Sequence, residues 1–236
     1  MMIKGAAVAF VRKSPHLWLS ASLFGGGLLS LHYSVPSLAG ALFGAGASLL
    51  GAWVTELNSR RSAAEDKARR EGDARRYLAP ELNRIIERVL YIHSRAIPNF
   101  ISASCGQPLP RDLREDFLPY MPVLYPTAPQ FRDLSGDDAI ALIAFYDSLH
   151  AIEKSVNDWW EREGQLPVNI FNMILTFANH SLELAMVCIE RFEIEKYFPP
   201  KYESWGTLSS RISRSMTSAS EAMARHLERN GAGTGS

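Results

Sequence analysis

Charge is absent from one long stretch of this sequence: the 42 residues from Ser14 to Thr55 contain no Asp, Glu, Lys or Arg. Cysteine is scarce too, and two thiols in 236 residues exclude a disulfide-stapled scaffold. Neither sign of charge is in excess, since 25 basic side chains meet 25 acidic ones. A nucleic-acid partner is therefore not expected, because such proteins carry a basic surplus. No run of alternating polar and apolar residues is long enough for a strand, and no segment repeats. At 47% hydrophobic, the chain is neither disordered nor collagen-like.

What the uncharged stretch does contain is length and apolar character. One membrane span needs about 20 apolar residues, so this segment suits two spans and a tight turn. The turn falls at His32-Tyr33-Ser34-Val35-Pro36-Ser37, where polar groups, an interfacial ring and a proline interrupt the helix. The expected spans are about 16–33 and 37–55, within a two-helix transmembrane hairpin over 16–55. A small-residue site near Ser37-Leu38-Ala39 would also suit signal cleavage, but a second apolar segment would remain as an anchor. Lys4, Arg12 and Lys13 precede the hairpin and Arg60, Arg61, Lys67, Arg69 and Arg70 follow it, while the turn has no basic residue. By the positive-inside rule both termini are cytoplasmic, at the cell membrane, with residues 1–15 as a basic cytoplasmic N-terminus. Cys105 and Cys188 then lie in a reducing compartment. In the second span Gly40, Gly44, Ala47 and Gly51 share one helix face. Small residues let helices approach closely, either within the hairpin or against another copy.

Beyond the spans, residues 56–77 interleave Glu, Lys and Arg with alanine, which predicts a charged helical stalk, with Gly72 and Pro80 as points where it could bend. Three apolar seams then step by alternating 3 and 4 residues, the spacing of a helical bundle. They are Leu78, Leu82, Ile85, Val89, Ile92, Ala96; Leu142, Phe145, Leu149, Ile152, Val156, Trp159; and Phe171, Ile174, Ala178, Leu182, Ala185, Ile189, Phe192. Ser135 reads as an N-cap, Gly164 as a stop, Pro167 as a helix start, and Pro199-Pro200 as the end of the third helix. A weaker helix is expected from about Ser204 to Arg229, with Leu208, Ile212, Ala219 and Met223 inward, and residues 230–236 as a flexible tail. The expected fold is thus all-α: the hairpin, then a cytoplasmic antiparallel bundle of about four helices over 78–229.

Residues 98–135 carry seven of the thirteen prolines and many large apolar groups. A connection of that length in a compact domain is usually functional. It is expected to strap the bundle, with only 111–117 able to form a short helix. Tyr120, Tyr125, Phe131, Arg132 and Asp133 are the residues there to examine for partner or ligand binding.

Catalytic patterns are mostly missing. There is no Walker loop, dinucleotide fingerprint, HExxH, CxxC or G-x-S-x-G elbow, and no Glu-x-x-His pair for a carboxylate metal centre. No cofactor and no metal is expected. Arg88-x4-His93 on a helix resembles the R-x4-6-H motif of the HEPN family of all-helical ribonucleases, although Val89 stands where that family usually has a polar residue. The resemblance implies that Arg88 would stabilise phosphate charge and His93 would move protons. Arg211, Arg214, Arg225 and Arg229 among serines suit a membrane-surface or docking helix. The leading expectation is a membrane-anchored, non-enzymatic helical protein whose bundle is an interaction or signalling module. Its partners would be the lipid bilayer and a protein or a second copy of itself. The layout is also similar to that of small bacterial two-span effectors linked to phage defence, which implies a pore-forming or membrane-perturbing activity with a cytosolic helical sensor.

Overall fold

The computed structural model describes residues 15–109, 114–161 and 167–232. Among these the chain is all-helical, with no strand. Its seven α-helices are α1 (Pro15–His32), α2 (Pro36–Ser104), α3 (Arg114–Phe117), α4 (Gly136–Glu161), α5 (Pro167–Arg191), α6 (Ile194–Tyr197) and α7 (Leu208–Ala232). Short 3-10 turns lie at Pro129–Asp133 and Glu203–Trp205. The chain divides into two units, one up to Arg69 and one from Arg70 onward. That division falls inside the expected stalk.

In the first unit α1 ends in a left-handed cap. Ser34 has φ 57°, and the amides of Ser34 and Val35 reach Leu31 and Ser30 carbonyls at 3.1 and 3.0 Å. This pair of bonds satisfies two carbonyls that a helix end otherwise leaves open. Pro36 then opens α2, where its missing N–H costs nothing. Ser20 Oγ donates to the Gly46 carbonyl at 2.9 Å, and the Phe24 and Phe43 rings lie 5.9 Å apart. Glycine lets the two backbones meet. A Cβ on Gly27 would come within 2.9 Å of Phe43, and one on Gly46 within 3.0 Å of Phe24.

Among the described residues two helices are long and apolar enough to cross a membrane, α2 and the Val168–Arg191 part of α5; α1 as described is not one of them. Its serines and terminal histidines lower its apolar character. The apolar side chains of α5 are used differently from those of α2. Phe171, Ile174, Leu175, Ala178, Leu182 and Ala185 are all buried in one core, whereas Leu38 and Val54 of α2 are exposed.

In the second unit every seam residue expected to face inward on α2 and α5 is buried, as are all those on α4 except the half-buried Trp159. They join a single apolar cluster with Phe117, Leu208, Ile212, Ala219 and Ala222. Ser135 caps α4, its hydroxyl accepting the Asp138 amide at 3.2 Å, and Pro167 opens α5. Several boundaries differ from expectation. The helix runs through Gly72, Pro80 and Pro98 to Ser104, so the strap begins after that residue. An interior proline costs about 3 kcal/mol, but burial of Ile92, Ala96 and Phe100 on the same helix outweighs it, at roughly 1.5–3 kcal/mol for each large side chain. The third long helix stops at Arg191, well before Pro199-Pro200, because Glu193 turns left-handed at φ 50°. The last helix starts at Leu208, after a 3-10 turn, and continues through Ala232. The tail expected at 230–236 is therefore helical in its first three residues, and the rest lies outside the described residues, as does Gly164.

Candidate functional site

The strap is fastened to α2 by polar groups that face inward. The Glu81 carboxylate is buried and accepts the amides of Val123 and Leu124 at 2.6 and 3.1 Å and the Tyr146 hydroxyl at 3.3 Å. Burial, reinforced by this carboxylate, raises the Tyr146 hydroxyl's pKa. Arg88 donates to the carbonyls of Leu118, at 2.9 Å, and Glu115. Its guanidinium also lies 5.1 Å from the Tyr120 ring, with Arg84 at 5.5 Å from the same ring. Such cation–π contacts hold an exposed tyrosine in place.

The five strap residues have different surroundings. Tyr125 packs against Phe131 and Tyr146 at 5.4 and 5.6 Å, and both Tyr125 and Phe131 rest on the core. Tyr120 is held by the two arginines of α2, while Arg132 and Asp133 are exposed at the end of the 3-10 turn. Three of the five are thus tied to helices beneath the strap, and two point to solvent.

Arg88 and His93 engage separate partners. His93 is completely buried, its Nδ1 lies 2.8 Å from Ser215 Oγ on α7, and its Nε2 has no partner. Desolvation lowers its pKa to about 4. Five residues along a helix separate the two side chains by about 140°.

Two further polar anchors join α2 to other helices. Asp138 is 1% exposed and is held by Arg75 at 2.7 Å and Arg191 at 3.4 Å. Burial alone would raise its pKa; the Ser135 hydroxyl and the Arg75 and Arg191 guanidiniums outweigh burial and lower it. Glu87 on α2 takes a two-pronged bond from Arg211 on α7, at 2.6 and 2.8 Å. Glu81 and Glu87 lay unnoticed in the sequence because each looks like any helix-surface acid. Their partners are 42 and 124 positions away.

A Cβ on Gly40, Gly44 or Gly51 would meet no described atom within 4 Å, and Ala47 is exposed beside them. The α1 contact uses Gly46 on another face of α2. Among the described residues no group of three His, Cys, Asp or Glu side chains is placed to hold a metal ion. No family model, curated protein or solved structure matches this chain.

Proposed function

We propose that residues 16–55 form a two-helix membrane hairpin with both ends on the cytoplasmic side. We further propose that the second unit is an antiparallel helical bundle serving as an interaction module held at the membrane. The carrying observation is the apolar surface of the charge-free segment. Trp18, Leu28 and Leu29 of α1 are 61%, 63% and 62% exposed, and Leu19, Leu31, Leu38 and Val54 are exposed with them. Soluble monomers rarely show contiguous apolar patches larger than a few hundred Å², and lipid is the natural cover for a segment with no charge. The polar groups support the same reading. Ser20, Ser22, Ser30 and Thr55 each donate to a helix carbonyl at 2.8–2.9 Å, so these hydroxyls need no water.

In this reading α5 belongs to the bundle, because its apolar face is already buried. A second reading, a membrane-perturbing assembly, is favoured by one observation: the Gly40, Gly44, Ala47 and Gly51 face has no neighbour among the described residues. Packing of that face against the same face of another copy would be driven by close backbone approach. Purification of the full chain in a gentle detergent, with mass and co-purifying components measured together, tests both. A defined second protein supports the module, and a homo-oligomer that makes vesicles leak supports the assembly. A lone monomer that neither binds a partner nor leaks ions contradicts both.

A further inference from the structure

Between α2 and α7 runs a groove, with the Tyr91 hydroxyl on its wall donating to Asp116 of the strap at 3.4 Å. One cavity of about 570 Å³ is lined by Glu87, Tyr91, Ser94, Arg214, Ser215 and Ser218, among others. An adjoining recess of about 430 Å³ is lined by Ser204, Trp205, Arg211 and Arg214, with no carboxylate. The two share Arg211 and Arg214. A third hollow, beside Pro199–Lys201, shares Arg211 and Glu87 and adds a lysine. Among the described residues that line these hollows, the cations Arg211, Arg214 and Lys201 meet one acid, Glu87, which is already paired with Arg211. The cavity and its adjoining recess are widely open to solvent, with volumes in the range of small-molecule sites, about 300–1,000 Å³.

Arg214 lines both the recess and the hollow that holds Ser94, Ser215 and Ser218. It donates from Nη2 to the Trp205 carbonyl at 2.6 Å, which fixes the guanidinium where the two hollows meet. That bond depends on a tight approach. Gly206 has φ 74°, and a Cβ there would lie 2.5 Å from Ser210 Oγ, so the turn needs glycine. The buried His93 adds a further donor indirectly. A buried lone pair without a partner is more readily tolerated than a buried N–H without one. Its proton is therefore placed on Nδ1, donating to Ser215 Oγ. The Ser215 hydroxyl then keeps its own hydrogen, free to donate to Ser94 Oγ at 3.1 Å or into the cavity.

We infer that this groove binds the phosphate group of a small organic phosphate, gripped by Arg214 and the neighbouring serine hydroxyls, with the rest of the ligand lying over Tyr91 and Leu90. A guanidinium fork with several hydroxyl donors suits the three oxygens of a phosphate monoester. The same chemistry is offered by a soluble phosphate ester and by the headgroup of phosphatidic acid. The inference goes beyond the anchored-module reading and does not depend on it.

The test is calorimetric titration of the full chain in a non-ionic detergent. The probes are inorganic phosphate, dihexanoyl phosphatidic acid and dihexanoyl phosphatidylcholine as the control. Phosphate and phosphatidic acid should bind and phosphatidylcholine should not. Arg214→Gln should weaken binding about tenfold or more, since charge-assisted bonds are the strong ones. Ser218→Ala, on an exposed hydroxyl, should weaken it about threefold with an unchanged melting temperature. Phosphatidic acid binding at least tenfold tighter than phosphate identifies the lipid headgroup as the source, and equal affinities identify a soluble ester. No binding of either phosphate probe, or binding that survives both substitutions unchanged, overturns the inference.

Discussion

Replacing His93 by glutamine should flatten one part of the protein's pH–stability profile. The imidazole is fully buried, and desolvation lowers its pKa from 6.5 to about 4. Between those values the unfolded chain binds a proton that the folded chain does not, so stability rises with pH through this window and falls as pH drops. At about 1.4 kcal/mol per pKa unit, the wild type loses about 3 kcal/mol from this residue between pH 6.5 and 4. Glutamine cannot titrate, yet keeps a polar group near Ser215. At neutral pH the variant should be about 1–2 kcal/mol less stable, from an altered buried hydrogen bond and packing. On acidification the gap should close and then reverse. The assay is urea unfolding of both full-length proteins in detergent, followed by far-ultraviolet circular dichroism at several pH values. Because every other titrating group is common to both proteins, the difference between the curves isolates His93. Parallel curves across the window would refute the reasoning, because an imidazole that does not change the difference is not buried and neutral.

Asp138→Asn should cost about 1–3 kcal/mol at neutral pH, below the 3–5 typical of a broken buried pair, since Arg75 and Arg191 are over a third exposed and rehydrate. Its folded pKa lies below the ordinary aspartate value of 3.8. The stabilisation is therefore complete above that value and is lost as pH falls through the folded pKa, so the variant and wild type should converge in strong acid in the same unfolding assay. Glu81→Ala leaves two strap amides without their acceptor and should cost about 2–3 kcal/mol; limited proteolysis should then cut near Val123 sooner. Gly46→Leu should disrupt the α1–α2 contact, because its Cβ meets Phe24, whereas a Cβ at Gly44 meets nothing within 4 Å. If the open face self-associates, Gly44→Leu alone should reduce crosslinked oligomers in membranes without lowering the melting temperature.

Much of the helical core was legible because a helix repeats its inward face every 3.6 residues, and that period shows in a single sequence. Leu78 through Ala96 and Phe171 through Phe192 needed only counting. Proline was a poorer guide. Pro98 and Pro199 carry the same local preference, yet the chain stays helical past one and breaks before the other. Tertiary burial of Ile92 and Phe100 decides the first, and the left-handed turn at Glu193 decides the second. The polar anchors were not legible at all. Glu81, Glu87 and His93 acquire meaning only from Val123, Arg211 and Ser215, and contacts between residues 42 to 124 positions apart leave no local pattern. On the strap, Tyr125 and Phe131, singled out with Tyr120 as binding candidates, rest on the core, and the arginines holding Tyr120 come from a different helix.

The membrane hairpin is tested most directly by labelling single thiols in intact cells with a membrane-impermeant reagent. Two full-length proteins are needed: one retaining the exposed Cys105 alone, and one carrying Ser34→Cys as its single accessible thiol, with Cys105 replaced by serine and Cys188 buried. The hairpin predicts that the thiol at position 34 reacts from outside, while Cys105 reacts only after the cells are permeabilised. Labelling of Cys105 in intact cells, or no labelling at position 34 until permeabilisation, would contradict it.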